Sequence, residues 1–167
     1  MQGSEMETLI EWILTTPPSR FVNGYRWAWP IAESIHFMGL VLMVGTVSMF
    51  DLRVLGVGKG ISPIAIHRLV PLGLIGFVVS VCTGILFISG APDQYFYNAA
   101  FHFKVLCLLL MGLNVAFFYS VPFRSLRSVG AFEDPPPAAK RAAALSLLFM
   151  VGVMCCGRML TFFRPSF

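Results

Sequence analysis

Four long apolar runs, separated by short polar stretches, constrain this chain more than any other feature of its sequence. A bilayer hydrocarbon core is about 30 Å thick and takes roughly 20 helical residues to cross, at about 1.5 Å per residue. The runs over residues 27–50, 63–89, 99–121 and 141–163 each meet that length. Composition points the same way. The chain is 57% hydrophobic and only 12% charged, whereas a soluble domain carries about 25% charged residues. A water-soluble fold is therefore excluded as the reading. The net charge of +4 does not indicate nucleic acid, because the basic residues sit in short loops and form no stripe.

The spacing predicts an all-α fold: an integral membrane, antiparallel four-helix bundle, with residues 1–167 forming a single transmembrane domain. Short loops between successive spans imply up-down-up-down topology. Residues 4–15 read as a short amphipathic helix lying at the membrane interface. Ser4 is its expected cap, Glu5 and Glu7 suit its first turn, and Pro17 and Pro18 are expected to end it. Its apolar stretch follows acidic residues and lacks a basic leader, so a cleavable signal peptide is not expected. Tyr25, Trp27 and Trp29 form an aromatic belt at the start of the first span, and Asp51 and Arg53 are expected to close its far end. Pro71 is expected to kink the second span. The link from Arg124 to Lys140 contains Pro135, Pro136 and Pro137 and reads as extended.

Lys and Arg set the expected orientation. Arg53, Lys59, Arg68, Arg124, Arg127, Lys140 and Arg141 share one side, and Arg20, Arg26, Lys104 and Arg164 the other, with Arg158 inside the fourth span. The first side is expected to be cytoplasmic. The expected location is a bacterial inner membrane with both termini periplasmic.

Ionisable groups at membrane depth cost several kcal/mol unless they are paired or hydrated, so they mark the candidate site. Counting from the expected cytoplasmic side, Glu33 lies about 27 Å along the first helix and Arg158 about 26 Å along the fourth. Neighbouring helices at equal depth lead to an expected Glu33–Arg158 ion pair. The pair either fixes helix register or lines a site for a cofactor, a quinone headgroup or an ion. His36 follows Glu33 by three residues, so the two share a face. It either hydrogen-bonds Glu33 or a neighbouring helix, or ligates a metal or haem iron. His102 starts the third span, and bis-histidine ligation of a b-type haem by His36 and His102 is one candidate use of such a bundle. His102 lies about 10 Å nearer the outer surface than His36, which strains that pairing. His67 reads as an interfacial residue. Asn114 is expected to make an interhelical hydrogen bond, and several glycines to permit close helix approach without a clean GxxxG motif. Tyr95, Tyr97, Asn98, Phe101 and Lys104 read as an interfacial rim. Cys82, Cys107, Cys155 and Cys156 lie within apolar runs and read as packing thiols. The methionines form no ligand ladder for copper and read as packing residues.

The set Glu33-Ser34-Ile35-His36, Gly39, Asp51-Leu52-Arg53-Val54-Leu55-Gly56, Thr83-Gly84, Asn98 to Lys104, Asn114 and Gly157-Arg158 resembles an uncharacterised family of small bacterial four-helix inner-membrane proteins. The resemblance covers the chain from about residue 25. It implies that Glu33, His36 and Arg158 are family features, whereas His67 and His102 fall outside the pattern. It implies no established activity.

Function is therefore an expectation of three kinds. The first is a small membrane subunit of a redox or electron-transfer system, holding a b-type haem or a quinone near Glu33, His36 and Arg158. The second is a non-catalytic accessory subunit of a larger membrane complex. The third, ranked behind both, is a small carrier or metal-handling protein. No nucleophile–base set or phosphate loop is visible, so an enzyme acting alone is not expected. Expected partners are the lipid bilayer and other membrane or periplasmic subunits, with oligomerisation open.

Overall fold

The apolar runs do form helices, but local chemistry moves several of their ends. A computed structural model describes residues 2–160 and residue 162, with side chains described from residue 5 onward. The capping side chain of Ser4, the end of the fourth span at residue 163 and Arg164 lie outside what is described. The elements are α1 (Gln2–Thr15), α2 (Pro17–Gly24), α3 (Ala28–Leu55), α4 (Pro63–His67), α5 (Val70–Gly90), α6 (Pro92–Phe96), α7 (Ala99–Ser120), α8 (Pro122–Leu126) and α9 (Pro137–Met159). Among the described residues, four helical segments are long and apolar enough to cross a membrane: α3, α4 with α5, α7 and α9.

Prolines start helices here more often than they end them. Pro17, Pro63, Pro71, Pro92, Pro122 and Pro137 all sit at first-turn positions, where a missing N–H costs nothing and the fixed φ is helical. Pro17 accordingly opens α2 instead of only terminating α1. The second span breaks between His67 and Val70, with Pro71 in the first turn of α5, so its bend precedes that proline.

The first span runs past its expected end, to Leu55. Gly56 stops it in the left-handed conformation, at φ 108°. Its N–H donates to the Arg53 carbonyl (3.1 Å) and the Val57 N–H donates to Leu52 (2.9 Å). This is a Schellman closure, which needs a residue that accepts positive φ. Asp51 and Arg53 therefore belong to the last turns of α3. They are not an exposed polar end: they are 5% and 1% exposed.

Helix α3 packs extensively on α5, α7 on α9, and the two hairpins join through α3 and α9. Helices α5 and α7 make no extensive contact. The spans thus form two hairpins joined side by side through α3 and α9. The apolar core lies at the end away from the chain termini. There Phe50 and Val54 of α3 meet Phe118 of α7, Leu126 of α8 and the small residues Ala139, Ala142 and Ala143 of α9.

Glycines bring α3 and α5 into backbone contact. A Cβ at Gly76 would lie 2.5 Å from the Gly39 carbonyl oxygen and 2.8 Å from the Met43 nitrogen. One at Gly39 would meet the Ser80 hydroxyl at 2.7 Å, and one at Gly73 the Thr46 hydroxyl at 2.5 Å. Gly45, Gly84 and Gly112 face open space and have no such role.

Loops at the core end are tied to one another. The Arg53 guanidinium donates to the carbonyl of Ile61 and, at 3.3 Å, to that of Gly130. Lys59 and Lys140 both pair with Asp134, at 3.0 and 3.1 Å. The Phe132 N–H donates to the Lys59 carbonyl at 2.7 Å. The segment expected to be merely extended is thus α8 followed by a clamped loop.

Candidate functional site

Each span presents one inward stripe, and the polar residues on those stripes define the site. On α3 the stripe runs through Ala28, Ala32, Gly39, Met43, Thr46 and Phe50, with half-buried His36 in register between Ala32 and Gly39. On α5 it runs through Gly73, Gly76, Ser80 and Thr83. On α7 only Ala100 and Phe118 are fully buried, but Lys104, Cys107, Met111 and Asn114 fill the i+3/i+4 positions between them, all half-buried. On α9 the stripe includes Ala142, Ser146, Met150, Val153 and then Gly157.

His36 and Thr83 meet across the α3–α5 contact, with Nδ1 2.7 Å from Oγ1. The Thr83 hydroxyl also lies 2.8 Å from the carbonyl of Val79, one turn back on its own helix. A hydroxyl has one proton to give. Donated to Val79, it leaves the oxygen to accept from a protonated Nδ1, with the lone pair on Nε2; donated to His36, it makes Nδ1 the acceptor and puts the imidazole proton on Nε2. In the first arrangement the bond orients Nε2 as a ligating or base-like nitrogen. Phe87 packs edge-on against the ring at 5.4 Å.

Lys104 supplies the cation at this end of the bundle. It lies within electrostatic reach of His36 and of Cys156, with its Nζ 4.0 Å from the position of a Cβ on Gly157. Glycine at 157 leaves room for the ammonium between α7 and α9. Asn98 caps α7, accepting from Ala100 N–H at 3.0 Å and donating to the Leu160 carbonyl at 3.2 Å. It fixes the start of α7 against the end of α9 and is buried, not a rim residue.

The sequence-derived site residues separate into two groups. His36 is on the inward stripe and is anchored. Glu33 is exposed on α3, off that stripe, and Arg158 is exposed in the last turn of α9. Between described residues the ion pairs are those to Asp134, so the expected Glu33–Arg158 pair does not form. Equal depth was right for a pair only if both residues faced the α3–α9 seam, and neither stripe includes them. The Arg158 guanidinium lies 5.7 Å from the centre of the Phe162 ring.

His102 is exposed on α7. It precedes inward-facing Lys104 by two residues, about 200° around the helix, so it points to the opposite side from the His36 cluster. The structure does not bring His36 and His102 together, and this arrangement does not fit a haem held between them. Among the described residues no three His, Cys, Asp or Glu side chains gather as a metal-ligand set.

Two further clusters lie at the core end. His67 Nε2 is 2.9 Å from the Tyr119 hydroxyl, among Phe50 and Phe123, so His67 bridges α4 to α7 instead of only facing the interface. Asn114 donates to the Ala142 carbonyl at 2.9 Å, the interhelical bond expected of it.

Sequence reasoning passed over Thr83 as a partner and Lys104 as an interior residue. Residues 100, 104, 107, 111, 114 and 118 form one helical stripe that carries Lys104, but α7 is apolar on every side, so packing and not spacing shows that this stripe faces inward.

A model of a family of unknown function (DUF6644) matches residues 12–163. No curated protein and no solved structure matches the chain.

Proposed function

The chain belongs to the DUF6644 family, and from its site geometry we propose that it is a small membrane subunit of an electron-transfer system that receives a quinone headgroup at His36. The observation that carries this reading is the 2.7 Å contact between His36 Nδ1 and Thr83. In the tautomer with the proton on Nδ1, Nε2 is an acceptor within electrostatic reach of the Lys104 ammonium. A quinol hydroxyl donates to such a nitrogen and a quinone carbonyl accepts from such an ammonium, so the pair complements both redox forms. An amphiphilic cofactor also reaches a site within a bilayer through the lipid. We place the protein in a bacterial inner membrane, with the His36 end and both termini periplasmic and with partner subunits completing the electron path.

The test is quinone binding to the purified protein in nanodiscs, followed by tryptophan quenching and by extraction of bound quinone. Binding that weakens about tenfold or more in both His36→Ala and Lys104→Met supports the reading, at roughly 1.4 kcal/mol per tenfold. Equal binding in wild type and both variants rejects it. A reduced-minus-oxidised visible spectrum separates haem from quinone.

The second reading, a non-catalytic accessory subunit, is favoured by one observation. The His36–Thr83 bond prolongs the Gly39–Gly76 backbone contact and so also locks α3 to α5. Stoichiometric co-purification of partner subunits from a membrane extract, without bound quinone, supports it.

A further inference from the structure

Away from the His36 site, α7 and α9 enclose a groove at the opposite end of the bundle. It measures about 240 Å³ and is lined by Asn114, Phe117, Ala138, Arg141, Ala142 and Leu145. Its walls are apolar apart from Asn114 and Arg141. Ala138 and Ala142 make the hollow, because they are small residues one turn apart on α9. The Asn114 amide spans the groove floor to the Ala142 carbonyl. Arg141 is exposed, in the second turn of α9.

Charge at this end is unbalanced. Across residues 51–70 and 121–141 there are seven Lys and Arg against three Asp and Glu. The carboxylate of Asp134 is shared by Lys59 and Lys140, and Arg53 is buried on loop carbonyls. Arg141 has no carboxylate within ion-pair distance among the described residues. A helix end where a membrane span begins is also the depth of lipid headgroups.

We propose that this groove is a binding site for an anionic phospholipid, with the phosphate at Arg141 and part of one acyl chain lying between Ala138, Ala142, Leu145 and Phe117. The occupant is a lipid and not a soluble anion, because the cation stands at the mouth of an apolar hollow. Interhelical basic pockets of this kind hold anionic headgroups, and guanidinium is the side chain that matches phosphate with paired donors. The volume suits a segment of one chain, so the headgroup and remaining chain stay in the surrounding leaflet. This proposal is independent of the quinone reading, since the two sites lie at opposite ends of the bundle.

The experiment is native mass spectrometry of the delipidated full chain, titrated with phosphatidylglycerol and, separately, with phosphatidylcholine of the same acyl chains. Wild type is expected to bind phosphatidylglycerol more tightly. Arg141→Gln should reduce that preference about fivefold, the contribution of one Arg near a charged headgroup. Ala138→Leu should fill the hollow and weaken both lipids. Arg124→Gln removes the same charge from the same end but outside the groove, and should leave the preference nearly intact. Equal binding of the two lipids to wild type would overturn the proposal. So would an Arg124→Gln loss as large as that of Arg141→Gln, which would mean that bulk charge alone is at work. Circular dichroism of each variant checks that the helices remain formed.

Discussion

Replacing Gly76 by alanine tests the α3–α5 contact on which the His36 geometry depends. The new Cβ would stand 2.5 Å from the Gly39 carbonyl oxygen and 2.8 Å from the Met43 nitrogen. Both obstructing atoms are backbone and cannot rotate away. Ordinary contact starts near 3.5 Å, so α5 must move off α3 by roughly 1 Å. Overpacking of this kind costs about 1–3 kcal/mol, whereas alanine in place of glycine returns about 1 kcal/mol of helix propensity. Gly84→Ala on the same helix meets nothing within 4 Å, so it isolates the propensity gain. Gly76→Ala should therefore be about 1–3 kcal/mol less stable than Gly84→Ala in reversible SDS unfolding followed by circular dichroism. Thr83 lies seven residues beyond Gly76 on the same stripe. The same displacement should stretch the 2.7 Å His36–Thr83 bond past the hydrogen-bond range of about 3.2 Å. The Nδ1 signal of ¹⁵N-histidine-labelled protein reads that loss directly. Equal unfolding midpoints for the two alanine variants would refute the close-contact reasoning.

Other outcomes follow from the remaining contacts. Thr83→Val keeps shape but removes the hydroxyl partner of His36, and should shift the labelled imidazole signals with a stability loss of only about 0.5–1.5 kcal/mol. Unchanged signals would mean that Nδ1 is held elsewhere. Arg53→Ala should lower stability by about 2 kcal/mol or more, because a buried guanidinium holding two loops is lost; protease cutting within residues 56–62 and 127–136 should rise with it. Lys59, and then Lys140, hydrogen-bond the Asp134 carboxylate and hold it below the usual carboxylate range. A depressed folded-state value stabilises the fold above the unfolded value, near about pH 4, and that contribution disappears as pH falls through the folded value. Wild type should thus unfold later than Asp134→Asn at pH 7, with the gap closing below about pH 4; a gap that persists at pH 2 would contradict the pairing. Asn114→Leu should cost about 0.6 kcal/mol, and at most about 1.7, in the same SDS assay.

The four spans were legible because the bilayer makes one demand of every residue in a run: apolar side chains over roughly 20 helical positions. Asn114 as an interhelical donor followed from the same logic, since an amide within an apolar span must find a partner. His36 was legible as an interior group for a similar reason. Short helices α2, α6 and α8 were not, because a proline is compatible with both the end of one helix and the first turn of the next.

What the sequence could not decide was rotation about each helix axis. Depth follows from residue counting, and it put Glu33 and Arg158 level. Facing does not, because in a chain apolar on every side the hydrophobic pattern no longer marks the inner surface. Only the packed structure, through the glycine contact of α3 with α5 and the seam of α3 with α9, turns Lys104 inward, His102 outward and Glu33 away from Arg158. The four-helix membrane architecture thus belongs to the sequence. The grouping of His36 with Thr83 and Lys104 belongs to the tertiary structure, because close packing fixes the rotation that composition leaves free.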